Sequence, residues 1–99
     1  MKAHIKATYV NEVVQLQFAK YGNGSTAIRA VTLDGEPSFV ATVALDELPL
    51  AGHVFLKGWS ENEGIPEALE KAGIVKRTGR TIMTGYVEAE EAQLIAEKP

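Results

Sequence analysis

The stretch KGWSENEGIPEALEKAG, residues 57–73, constrains the fold more than any other part of the chain, because it carries the one well-marked helix in a sequence that otherwise reads as strands. Ser60 followed by Glu63 has the spacing of a capping box, in which the hydroxyl accepts from an early helical N–H and the carboxylate reaches back. Pro66 sits most cheaply in a first helical turn, where its missing N–H has no partner to lose. Together they predict a cap or irregular turn over 60–64 and a helix over 66–72. Gly73 stands where a left-handed residue closes the last turn, and Ile74 then packs back on Leu69. Ile65, Ala68, Leu69 and Ala72 form one apolar stripe, with Glu67 and Lys71 four apart on the outside. Such a helix must lie on something, and the remainder of the chain supplies sheet.

Residues 4–10 alternate Ile5, Ala7 and Tyr9 against His4, Lys6 and Thr8, the period of a half-buried strand, and Asn11-Glu12 reads as the turn after it. Residues 13–21 repeat the pattern with Val14, Leu16 and Phe18 on one face, and GNGS then offers glycines for a reversal. TAIRAVTL (26–33) and SFVATVAL (38–45) are β-rich on both faces, which predicts central strands under the helix; Asp34-Gly35-Glu36-Pro37 separates them. Residues 46–52 form a loop and HVFLK (53–57) a short strand. After Gly73, two apolar stretches flank Thr78-Gly79, predicting a hairpin or bent strand. The final AEEAQLIAEK favours helix by propensity yet alternates as an edge strand would; a strand is predicted at least to Ala89. The sum is an α+β domain, a mostly antiparallel sheet of hairpins with one short helix packed on it.

With 99 residues, 45% hydrophobic and 23% charged, the chain suits one domain spanning 1–99. The absence of cysteine excludes zinc ribbons, thiol catalysis and a disulfide framework and suits a reducing, cytoplasmic setting. No apolar run approaches the ~18 residues of a membrane helix. A net charge of −3 argues against generic binding to nucleic-acid backbones.

The run LKGWSENEGIPEALEKAGIVKRTGRTIMTGYV, residues 56–87, preceded by a strand meander with a Gly-Asn-Gly turn, resembles a small uncharacterised bacterial family carried mainly on plasmids, integrative elements and phages. Members share Ser-Glu-Asn-Glu-Gly, Ala-Gly-Ile-Val and Thr-Gly-Arg segments. Pro66 and Glu90-Glu91 depart from the pattern. The resemblance implies a mobile-element setting and no particular reaction.

Catalytic groups are sparse. His4 and His53 have no partner at ligand spacing, and Ser25, Ser38 and Ser60 lie outside any nucleophile elbow. No metal or cofactor site is predicted, and no enzyme. Gly22-Asn23-Gly24 lacks the lysine and helix of a phosphate loop. Charge carries more content. Glu61, Glu63 and Glu67 crowd the helix start, Lys76, Arg77 and Arg80 follow, and Glu88, Glu90 and Glu91 return to acid. Solvated faces and dipole compensation account for such runs in most proteins. The sharper reading joins the two acidic groups, with Trp59 as aromatic anchor, into a surface that imitates phosphates or docks on a basic cleft; the size of the ring otherwise favours burial under the helix. Two function classes follow. One is a non-enzymatic binder of a host protein or protein–nucleic-acid effector complex, of anti-CRISPR or anti-restriction type. The other is a nucleic-acid-binding accessory protein using Lys76, Arg77 and Arg80 on a basic hairpin tip. Monomer and homodimer are both compatible with the sequence.

Overall fold

Period-two alternation becomes seven antiparallel strands in the computed structural model, which describes residues 1–96. The architecture is α+β. Strands β1 (Lys2–Lys6), β2 (Asn11–Lys20), β3 (Thr26–Thr32) and β4 (Pro37–Val40) form a meander in sequence order. Strands β5 (His53–Leu56), β6 (Val75–Thr84) and β7 (Val87–Leu94) form a second sheet in the order β5-β7-β6, and helix α1 (Ile65–Lys71) lies between β5 and β6 in the chain. No helix among the described residues is long and apolar enough to cross a membrane.

The two sheets are stitched where the chain leaves β4. Ala41 N–H donates to the Ile28 carbonyl (2.8 Å), Val43 N–H to Phe55 (3.0 Å), and Lys57 N–H to Ala41 (2.8 Å). Opposite this seam, α1 touches β1 and β6 and closes the remaining side. The helix therefore bridges two sheet edges instead of covering β3 and β4, as the sequence had suggested. One core results, joining Ile5, Val14, Leu16 and Ile28 to Val54, Leu56, Val75 and Ala92, with Ile65 and Leu69 of the helix between them. Each fully buried aliphatic side chain contributes about 1.5–3 kcal/mol.

The helix C-terminus forms as the sequence predicts. Gly73 takes φ 78°, its N–H donates to Glu70 (3.0 Å) and Ile74 N–H donates to Leu69 (3.0 Å), the paired bonds of a Schellman ending. At the N-terminus the expected irregular turn over 60–64 forms, but without the capping box. Gly64, at φ 84°, precedes the helix, Pro66 falls in its first turn, and the Ser60 hydroxyl caps nothing: residues 60–62 instead form a 3-10 turn with Ser60 at φ 57°. Glu67 reaches Arg77 (3.6 Å) and not Lys71.

Several strand boundaries also move; the stretch 38–45, expected as a central strand, forms only β4, which stops at Val40 on the sheet edge. β1 ends at Lys6, because residues 7–10 turn, closed by Ala7 N–H to the Val10 carbonyl (2.7 Å), and the turn docks on the 3-10 segment through Thr8 N–H to Glu63 (3.2 Å). Asn11 and Glu12 thus start β2, and Tyr9 points outward, 68% exposed. Thr78-Gly79 is no hairpin tip. It belongs to a bulge within β6, where pairing jumps from Arg77–Ala92 to Thr81–Glu90, and the tip is Gly85-Tyr86. β7 is strand through Leu94; residues 97–99, the end of the stretch that could read as helix or strand, lie outside the described part.

Candidate functional site

Gly58 sets the site. A Cβ there would stand 3.0 Å from Pro66 Cγ, so glycine lets the chain leaving β5 pass the start of α1 without pushing the proline ring aside. Trp59 follows in extended conformation, and Ser60 then turns the chain through its positive φ. Asn62 pins the segment from below. It is 2% exposed, donating from Nδ2 to the Val40 carbonyl (2.7 Å) and more weakly to Lys57 (3.4 Å), while its N–H donates to Trp59 (3.0 Å).

Held this way, Trp59 is half-buried and lies outside the core cluster. It forms the wall between two open clefts. The first, ≈ 560 Å³, is lined by Tyr9, Trp59, Ser60, Glu61 and Glu63. The second, ≈ 470 Å³, lies against the β6–β7 hairpin and is lined by Trp59, Thr81, Met83, Tyr86, Glu88 and Glu90. Met83 is 60% exposed and Tyr86 fully so. The Glu61 carboxyl is held below its ordinary value, first by a backbone N–H, then by the Ser60 hydroxyl and the nearby Lys57 charge. The rim is acidic and the floor aromatic or apolar.

The structure sorts the acidic residues. Glu61, Glu63, Glu88 and Glu90 line the two clefts with Trp59. Glu67 does not; it faces Arg77. Glu91 is 2% exposed and lies on the opposite face of β7 from Glu90, where it accepts from Arg80 Nη1 (2.9 Å). A binding role for Glu91 is overturned by its burial.

The arginines are engaged within the molecule. Arg77 Nε donates to Glu70 Oε1 (3.0 Å), its backbone N–H to Glu70 Oε2 (2.9 Å), and its Nη1 lies 3.5 Å from Glu90. Its guanidinium pKa is raised, above all by Glu70. Arg80 is likewise raised, by Glu47 first and then Glu91. Lys76 is exposed on β6. The three basic residues therefore do not form a tip: they lie along and beside a bulge, with both arginines paired.

Other candidates resolve as local structure. His4 Nε2 pairs with Asn11 Oδ1 (2.8 Å), His53 Nδ1 with the Ala51 carbonyl (3.0 Å), and Asn23 Oδ1 accepts from Ser25 N–H (3.0 Å) inside the β2–β3 turn. Among the described residues no three His, Asp or Glu side chains gather to hold a metal. Comparison with family models, with curated proteins and with solved structures returns no match.

Sequence reasoning missed Tyr9, Met83, Tyr86 and Asn62. For Tyr86 a signal existed, since Thr-Gly-Tyr-Val is a two-residue hairpin loop with glycine in its first position. Asn62 had none, because its partner carbonyl belongs to Val40, twenty-two residues away.

Proposed function

We propose that this chain is a non-enzymatic protein-binding domain that docks through the Trp59 face on a basic surface of a partner. One observation carries the reading. A half-exposed tryptophan stands between two open clefts whose rims hold Glu61, Glu63, Glu88 and Glu90; among the described residues only Glu90 of these has an arginine near it, Arg77 at 3.5 Å, and that guanidinium is held mainly by Glu70. Large aromatics flanked by charge are the usual anchors of protein interfaces, and complementary charge steers the encounter. Open clefts of this kind suit a protein surface better than a small substrate, which needs enclosure. On the resemblance read in residues 56–87 to plasmid- and phage-borne proteins, which no comparison matches, the partner we propose is a host defence complex and the outcome inhibition, with the acids standing in for nucleic-acid phosphates.

The test is competition. Inhibition of a host nuclease complex by the wild type should fall by about tenfold or more in Trp59→Ala, the loss typical of an interface anchor, and similarly in Glu61→Lys/Glu63→Lys. Glu67→Lys should inhibit like wild type. Tight, salt-sensitive binding to duplex DNA that survives Trp59→Ala but not Lys76→Ala would replace this reading with the nucleic-acid one.

A further inference from the structure

Within the second cleft, β6 presents an unused strand edge. In a two-residue hairpin the residues flanking the loop, here Thr84 and Val87, are hydrogen-bonded to each other, and the pairing alternates along the strands. Met83 and Thr81 therefore direct their N–H and C=O groups away from β7. The other neighbour of β7 agrees with this parity, because Phe55 and Lys57 of the β5 segment bond to 41–43, leaving Leu56 to face Glu90. β6 is the outer strand of its sheet, and among the described residues no backbone or side-chain partner meets the outward groups of Thr81 and Met83. Arg77, before the bulge, has the same outward orientation, but there the Glu70 carboxylate takes its N–H. The edge is capped at Arg77, just before the bulge, and among the described residues it is bare at Thr81 and Met83 beyond it.

Resting on the reading of the Trp59 face as a protein-docking surface, the geometry points to its occupant: an extended basic segment of a partner protein that adds as a strand to β6 over residues 81–84. Strand addition takes its affinity from main-chain bonds and its specificity from alternate side chains. The alternate side chains of an added strand lying on the cleft face would fall beside Thr81 and Met83, in front of Trp59 and the Glu88 and Glu90 carboxylates. A lysine or arginine there meets both an aromatic face and opposite charge. A second copy of this chain meets neither condition, because its β6 carries no basic residue over 81–84 and so brings no cation to Glu88 and Glu90.

The experiment uses a synthetic heptapeptide alternating arginine with valine, titrated into the 15N-labelled protein. Expected is saturable binding that shifts the Thr81 and Met83 amides and the Trp59 indole. Methylation of alternate peptide nitrogens, which leaves charge unchanged and deletes edge donors, should weaken binding at least tenfold. Met83→Pro should do the same, because proline is tolerated where the N–H points off an edge, and its folding is checked by an unchanged β7 amide pattern. Equal affinity for the methylated and unmethylated peptides would overturn strand addition while leaving the Trp59 docking surface intact. Binding that ignores Trp59→Ala would overturn both. A concentration-dependent dimer abolished by Met83→Pro would assign the edge to a second copy and also overturn the proposal.

Discussion

The β6–β7 ladder has two halves that share pairing and differ in cover. In the inner half Val75 and Ala92 are fully buried, α1 lies against β6, and Glu70 caps the outward N–H of Arg77. In the outer half the same face carries Met83 and Glu88 in the open, beside Trp59. The border is the bulge, where residues 78–80 oppose Glu91. Length explains the difference. Seven helical residues extend about 10 Å, whereas ten strand residues extend about 33 Å, so α1 can shelter only part of β6. Burial along a ladder is thus decided by what lies over it, and the uncovered remainder becomes available for binding.

The sharpest way to break this contrast is to empty the inner half. Leu69→Ala removes a fully buried side chain between helix and sheet and should cost about 3 kcal/mol, whereas Met83→Ala in the outer half should stay within about 0.5 kcal/mol. Chemical denaturation of both variants measures the gap; equal losses would mean that the outer half of the ladder is packed as the core is. Next comes the bulge. Arg80→Ala strands the Glu91 carboxylate, which is 2% exposed and has no other cation beside it among the described residues. Removing one partner of a buried pair costs more than exchanging both, so Arg80→Ala/Glu91→Met should melt higher than Arg80→Ala alone.

Two glycines sharpen the comparison at the ends of α1. Gly64 and Gly73 both have positive φ, so alanine at either is strained by about 1 kcal/mol. Gly73 faces open space, whereas a Cβ on Gly64 would stand 3.3 Å from Ala7 Cβ and from the Thr8 nitrogen. Gly64→Ala should therefore lower the melting temperature more than Gly73→Ala. Identical shifts would remove the docking of the 7–10 turn as a contributor.

What the sequence revealed follows the range of each interaction. The Gly73–Ile74 helix ending was legible because both its bonds close within six residues. The strand at 13–21 and the GNGS reversal were legible for the same reason. Tyr9 misled, since the alternation runs past Lys6, and the turn that exposes it is held by Glu63, far along the chain. Thr78-Gly79 has the composition of a turn; only its pairing across Glu91 makes it a bulge. Of the site, Trp59, Glu61, Glu63, Glu88 and Glu90 were legible as composition. Their grouping was not, because β7 comes beside residue 59 only through sheet order β5-β7-β6. Nor could the sequence show that Arg77 and Arg80 are engaged by Glu70 and Glu91.

The smallest effect concerns the cap that separates the closed edge from the open one. Glu70 is held below the ordinary carboxylate value of about 4.3, first by the Arg77 backbone N–H and then by its guanidinium. A carboxyl whose folded value is depressed binds its proton more weakly in the native state. Its contribution is full above the unfolded value and is lost as pH falls through the folded one. The side chain is partly exposed, so the contribution is modest. Wild type should exceed Glu70→Gln in urea midpoint at pH 7, and the two should converge at a pH below the folded value. At neutral pH the same substitution should also loosen the Arg77 amide in hydrogen exchange, leaving Met83, whose N–H meets no acceptor among the described residues, as fast as before. A gap between the two midpoints that is independent of pH would show that the Glu70 charge plays no part in closing the inner edge.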